Sequence, residues 1–163
     1  MRILLAIDGS ACSDAAVEEV GRRPWPDGSS IKVVTSYELP APPSPEGWAL
    51  PANYFEDLDQ ALREQARKTV DEAIAKLKPK LNKTISLDGQ IVPGPPRAVI
   101  LDEAEDWQAD LIVVGSHGYG VWERFLLGSV SQAVVAHAKC SVEVVRCPRV
   151  AEAKTTKPSE KGN

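Results

Sequence analysis

The sequence predicts an α/β domain, a three-layer sandwich in which helices cover both faces of a five-stranded parallel sheet. Two observations carry this. Strand-like and helix-like segments alternate along the 163 residues, five of the first and four of the second. The runs Arg2 to Ile7 and Asp110 to Val114 are almost uninterruptedly apolar, as strands buried on both faces must be. A hydrophobic content of 43% supports a real core, and the length suits one domain. That domain is expected over residues 1–147. The polar stretch 148–163, PRVAEAKTTKPSEKGN, reads as a disordered tail.

Taken in order, the first strand ends at Asp8. In an open parallel sheet the carboxyl ends of the strands face the ligand crevice, so a carboxylate there is a candidate contact. Asp8 or Ser10 equally suits the N-cap of the following helix, which carries Ala15, Ala16, Val17 and Val20, and the residues leave both roles open. Gly21 is expected to stop that helix, and Pro24 to Gly28 to form a turn. Ile31 to Tyr37 reads as the second strand. Residues 40–51 hold five prolines and read as a surface loop, with Trp48, Tyr54 and Phe55 either packing it down or covering a ligand.

Glu56 to Leu77 is the clearest helix. Phe55, Leu58, Leu62, Ala66, Val70, Ala73 and Leu77 recur at three and four residues, and Pro79 closes it. Thr84 to Val92 alternates loosely, as an outer strand does. Pro93 to Pro96 then leads into a crossover helix over Arg97 to Gln108, with Ala98, Val99, Leu101 and Ala104 as its apolar face.

The stretch from Gly115 to Ser131, GSHGYGVWERFLLGSVS, follows the apolar strand and opens a helix over Ser129 to His137. A glycine-rich turn between a strand and a hydroxyl-bearing helix start is an anion trap, because free amides and the helix dipole converge there. Glycines at 115, 118 and 128 suggest backbone turned inward through positive φ or close approach, with Ser129 and Ser131 as extra donors. The alternative is a strand end, a turn and a helix capped by Ser129. A Walker A loop is excluded, since no Gly-Lys-Ser/Thr occurs in the chain. A dinucleotide fingerprint fails too, because the third glycine of Gly118-Tyr119-Gly120 would fall at Glu123. Arg124 suits a phosphate contact or an ion pair with Glu123. His117 suits ribose, phosphate or solvent, His137 reads as structural, and neither has a nearby nucleophile.

Gly115-x-x-Gly118, nine residues, then Gly128-Ser129 resembles the nucleotide loop of the universal stress protein family. The strand ending in Asp8, the Ala109 to Gly115 run and the closing strand Ser141 to Arg146 extend the resemblance over residues 1–147. It implies an adenine nucleotide alpha hydrolase-like fold with strand order 3-2-1-4-5. It also implies a nucleotide site: Ala6, Ile7 and Asp8 beside adenine or ribose, the backbone near Ser36 on the adenine edge, and Gly115, Ser116, His117, Gly118, Gly128, Ser129, Val130 and Ser131 around the phosphates. The ligand expected is ATP, with AMP and ADP as alternatives and magnesium as its companion. A homodimer through the last strand, at Val142 and Val144, is implied as well.

Turnover is expected to be poor, because no loop lysine and no evident base are present; slow hydrolysis or self-phosphorylation on Ser129 or Ser131 stays open. A member of the same family that binds no nucleotide and acts as an interaction module is the alternative. An adenylylating enzyme lacks the loops it would show. The net charge of −4 argues against a nucleic-acid binder. The absence of about 18 consecutive apolar residues argues against a membrane span, and a cytoplasmic location is expected. Cys12, Cys140 and Cys147 are odd in number, lack CxxC spacing, and are expected to be reduced thiols.

Overall fold

The computed structural model describes residues 1–40, 53–118 and 127–147. The elements are β1 (Arg2–Ala6), α1 (Ala11–Arg22), β2 (Ser30–Tyr37), α2 (Tyr54–Leu77), β3 (Ser86–Pro93), α3 (Pro96–Asp106), β4 (Leu111–Gly115), α4 (Ser129–His137) and β5 (Ser141–Val145). All pairings are parallel and the sheet order is β3-β2-β1-β4-β5. Both the three-layer fold and the strand order expected from the sequence are therefore present. The proline-rich loop with Trp48, the segment holding Tyr119, Gly120, Trp122, Glu123, Arg124 and Phe125, and the tail lie outside the described residues.

The strands alternate their side chains between two cores. Ile3, Leu5, Ile31, Val33 and Val113 pack under α1 and α2, while Leu4, Ala6, Val34, Ile112 and Val114 pack under α3 and α4. Leu4, Leu5 and Ile112 are fully buried, which is why β1 and β4 read as continuous apolar runs. In α2 only Ala66, Val70, Ala73 and Leu77 are buried. In its first three turns Phe55, Leu58 and Leu62 are half-buried.

Three expectations change. Gly21 lies inside α1, and a Cβ there would stand 2.9 Å from Lys80 Cδ and 3.4 Å from Leu77 Cδ2. It permits the close crossing of α1 and α2 rather than ending a helix. In α3 the buried face is Val99, Ile100 and Ala104, with Ala98 exposed. Finally, Cys12 and Cys147 form a disulfide, with Cα atoms 4.4 Å apart and a sequence separation of 135; Cys140 is free. No spacing rule shows this pair. It follows from tertiary structure: α1 packs against β4 and β5, so the chain leaving β5 passes the first turn of α1.

Polar contacts fix the outer elements. Arg23 bridges Glu143 of β5 at 2.6 Å, and Arg22 and then Arg23, bonding to Glu19, hold its carboxyl below the usual carboxylate range. On the other face Glu103 of α3 accepts from Lys32 at 3.3 Å and from Gln90 at 2.8 Å, anchoring α3 over β2 and β3.

Candidate functional site at the switch point

The connections from β1 and β4 leave the sheet in opposite directions, α1 to one face and α4 to the other, and a crevice opens between the carboxyl ends of these strands. It holds a cavity of about 270 Å³. Its floor is Ala6 and Ile7 from β1 and its exit, with Val34, Thr35 and Ser36 from β2. Two bonds lock this floor: Ile7 N–H donates to Val34 O at 2.9 Å, and Thr35 Oγ1 donates to Ile7 O at 2.7 Å. One wall is the first turn of α3, Pro96, Val99 and Ile100; the other is Gly115, His117 and Gly118 facing Gly128, Ser129, Val130 and Ser131.

Of the two residues open to the N-cap role in α1, Ser10 takes it, its Oγ accepting from Ser13 N at 3.3 Å. Asp8 accepts from Ser10 N at 2.9 Å through Oδ1 and remains exposed at the mouth of the crevice. The alternative in which Ser129 caps α4 does not hold. The N-cap is Gly128, with no side-chain bond, so the first-turn amides of α4 have no capping side chain among the described residues.

The motif glycines act by closeness rather than by positive φ, which among the described glycines occurs only at Gly9, Gly28 and Gly94. A Cβ on Gly115 would meet Cys12 C at 2.8 Å and Ser13 N at 2.9 Å; on Gly118 it would meet Asp8 Oδ2 at 2.6 Å; on Gly128, Ser116 O at 3.3 Å. Bare backbone is thus what brings the two halves of the loop, α1 and Asp8 together. Ser131 is buried, and its hydroxyl donates to Ser116 O at 3.0 Å or Gly128 O at 2.9 Å. It holds the loop shut, leaving Ser129 as the freer hydroxyl. His117 Nδ1 lies 3.1 Å from Ser116 Oγ, while its Nε2 is buried and finds no partner among the described residues.

Every site residue expected from the sequence lines the cavity except Ser116, which is buried beneath it. Ser13, Val34, Thr35, Val114, Pro96, Val99 and Ile100 also line it, beyond the residues expected from the sequence. Pro96, Val99 and Ile100 had a visible signal: they stand at i, i+3 and i+4 in the first turns of a helix that follows a strand's carboxyl end. No lining residue among those described is lysine or arginine, and no cluster of potential metal ligands is found among the described residues.

The sheet and crevice define a three-layer α/β protein with a parallel sheet of order 3-2-1-4-5 and a loop-lined cavity at its switch point. Residues 1–146 match the Universal stress protein family, and the chain belongs to that family. A universal stress protein of Thermus aquaticus is 36% identical over 144 residues, covering 88% of this chain and 97% of that one. Universal stress protein A homolog 2 of Coxiella burnetii is 45% identical over 92 residues, 55% of this chain and 58% of that one. Among solved structures, the universal stress protein UspA from Lactobacillus plantarum superposes with a TM-score of 0.71 at 24% identity, covering 90% of this chain and 97% of that one. A universal stress protein in complex with cAMP gives 0.64 at 26% identity, covering 91% and 98%. A family protein from Arabidopsis thaliana with AMP bound gives 0.65 at 18%, covering 91% and 92%.

Proposed function

We propose that this chain binds an adenine nucleotide in the crevice between β1 and β4, ATP foremost with AMP and ADP as alternatives, and acts in the stress response as a nucleotide-dependent regulator with little turnover. The observation that carries the reading is the uncapped N-terminus of α4. Its first-turn amides, with Ser129 and Val130, border the same cavity as the apolar slot between Ile7, Val34 and Val99. Amides and a helix dipole suit phosphates, and an apolar slot suits a base. The 26%-identical structure in complex with cAMP supports an adenine guest.

In this reading Asp8 and the Ser36 backbone address ribose and base. Gly115, Ser116, His117, Gly118, Gly128, Ser129, Val130 and Ser131 build the phosphate end, with the orphaned His117 Nε2 as a ready partner. Magnesium travels with the phosphates and needs no protein cage. The described lining supplies no lysine or arginine to meet a transferring phosphoryl group, which favours holding over hydrolysis. A second copy pairs along β5, and the protein works in the cytoplasm.

Replacing Gly118 with leucine tests this. The side chain displaces the Asp8 carboxylate, 2.6 Å from its Cβ, and closes the phosphate end. Titration calorimetry with magnesium ATP should show micromolar binding, about −8 kcal/mol, in the natural protein and none in the variant, with unchanged far-UV circular dichroism. Equal binding by the variant would remove the phosphate assignment. A folded natural protein that ignores ATP, ADP and AMP would make the interaction module the better reading.

A further inference from the structure

The Cys12–Cys147 cross-link has no part in the nucleotide reading, yet it joins the segments that support the crevice. Cys12 is the second residue of α1 and precedes Ser13, which lines the crevice and accepts from Gly9 N at 3.0 Å through Oγ. Cys147 stands two residues beyond the end of β5. Between them lies Ser116. Its Oγ donates to Cys12 Sγ at 3.7 Å, its amide donates to Val145 O at 2.7 Å, and its carbonyl accepts from Gly128 N at 2.8 Å. One buried serine thus connects the disulfide, the end of β5 and the start of α4. The two sulfurs differ in access: Cys12 is 3% exposed, whereas Cys147 is half-buried.

We propose that Cys12–Cys147 is a thiol–disulfide exchange site for small thiols of the glutathione class, and that its redox state sets how firmly the loop base at Ser116 is held. A thiolate attacks Sγ of Cys147, the more accessible sulfur. A mixed disulfide forms there, the Sγ–Sγ bond breaks, and Cys12 leaves with the electron pair and takes up a proton. A second thiol attacks the mixed disulfide and releases Cys147 as a thiol. Two small thiols have then become one small disulfide, and the protein has gained two electrons and two protons. Oxidised glutathione reverses the sequence. Reduction frees residues 146 and 147 from α1, which loosens the Ser116 to Val145 bond and the turn that Gly128 closes. The consequence for affinity rests on the nucleotide reading; the consequence for the loop does not.

The full chain is equilibrated with reduced or oxidised glutathione, and the state of the pair is read by intact mass, about 2 Da apart. Hydrogen exchange and magnesium ATP titration follow in each state, with Cys147→Ser alongside. In the reduced protein, amides of residues 114–118 should exchange at least about fivefold faster and the Kd should rise at least about fivefold, both reversing on reoxidation. Cys147→Ser should show the reduced values in both buffers. Failure of the pair to form under oxidised glutathione, or loop exchange identical in the two states, would overturn the exchange site. Altered loop exchange with no ATP binding in either state would retain it and remove the nucleotide reading instead.

Discussion

Gly115 and Gly28 show how differently two glycines are required. At Gly28 φ is +75° and a Cβ would meet nothing within 4 Å, so the demand is conformational. At Gly115 the atoms in the way are Cys12 C and O and Ser13 N, all backbone and all within 2.9 Å of the Cβ position. Backbone at a helix start cannot swing aside as a side-chain end can. Gly115→Ala should therefore cost about 1–3 kcal/mol, the range for an overpacked core, read as a lowered urea midpoint with unchanged slope. A shift under about 0.5 kcal/mol would mean that α1 yields locally. The sequence marks Gly115, Gly118 and Gly128 by spacing alone. Their reason for being glycine, the approach of Cys12, Asp8 and Ser116, is a distance between segments remote in the chain, and no periodicity carries it.

At the scale of elements, what could be read was whatever a single segment decides for itself. The apolar runs of β1 and β4, the heptad-like stripe of α2 and the extent of α4 from Ser129 to His137 are local patterns. The wall made by Pro96, Val99 and Ile100 was less legible, because α3 is amphipathic against two things at once, the sheet and the crevice. The end of α3 was hidden for another reason. It closes with Ala109 N donating to Ala104 O at 2.8 Å and Gln108 N to Glu105 O at 3.0 Å, a Schellman ending whose left-handed position, φ 51°, is occupied by glutamine rather than glycine. Arg2 partly compensates, donating to Trp107 O at 2.7 Å and to Gln108 Oε1 at 3.3 Å. Gln108→Gly removes the cost of the left-handed conformation and only the weaker, exposed bond. It should stabilise the protein by about 0.5–1 kcal/mol in urea unfolding; a loss of stability would show that the Gln108 side chain, not the turn, secures this end.

For the whole molecule, the proposed pairing with a second copy must choose one edge of the sheet. The sheet has two. β3 carries Asp88, Gly89 and Gln90 and ends on Pro93, all poor for extending a ladder, whereas β5 is Ser-Val-Glu-Val-Val. Ser116 N donates to Val145 O, so Val145 turns its backbone groups toward the loop after β4. Backbone polar groups alternate sides along a strand, so those of Val142 and Val144 face the open edge. A charge at Val144 would be an ambiguous probe, because that side chain also packs against the core beside α3 and α4. Proline at 144 is cleaner. It removes an amide that makes no bond to β4 and keeps an apolar side chain, the placement in which edge strands accept proline. Val144→Pro should run as a monomer on a sizing column with light scattering, while the natural chain runs as a dimer at micromolar concentration, and both should melt cooperatively. Dimers that survive the proline would place the contact on another face, with the exposed Val135 of α4 the first to examine.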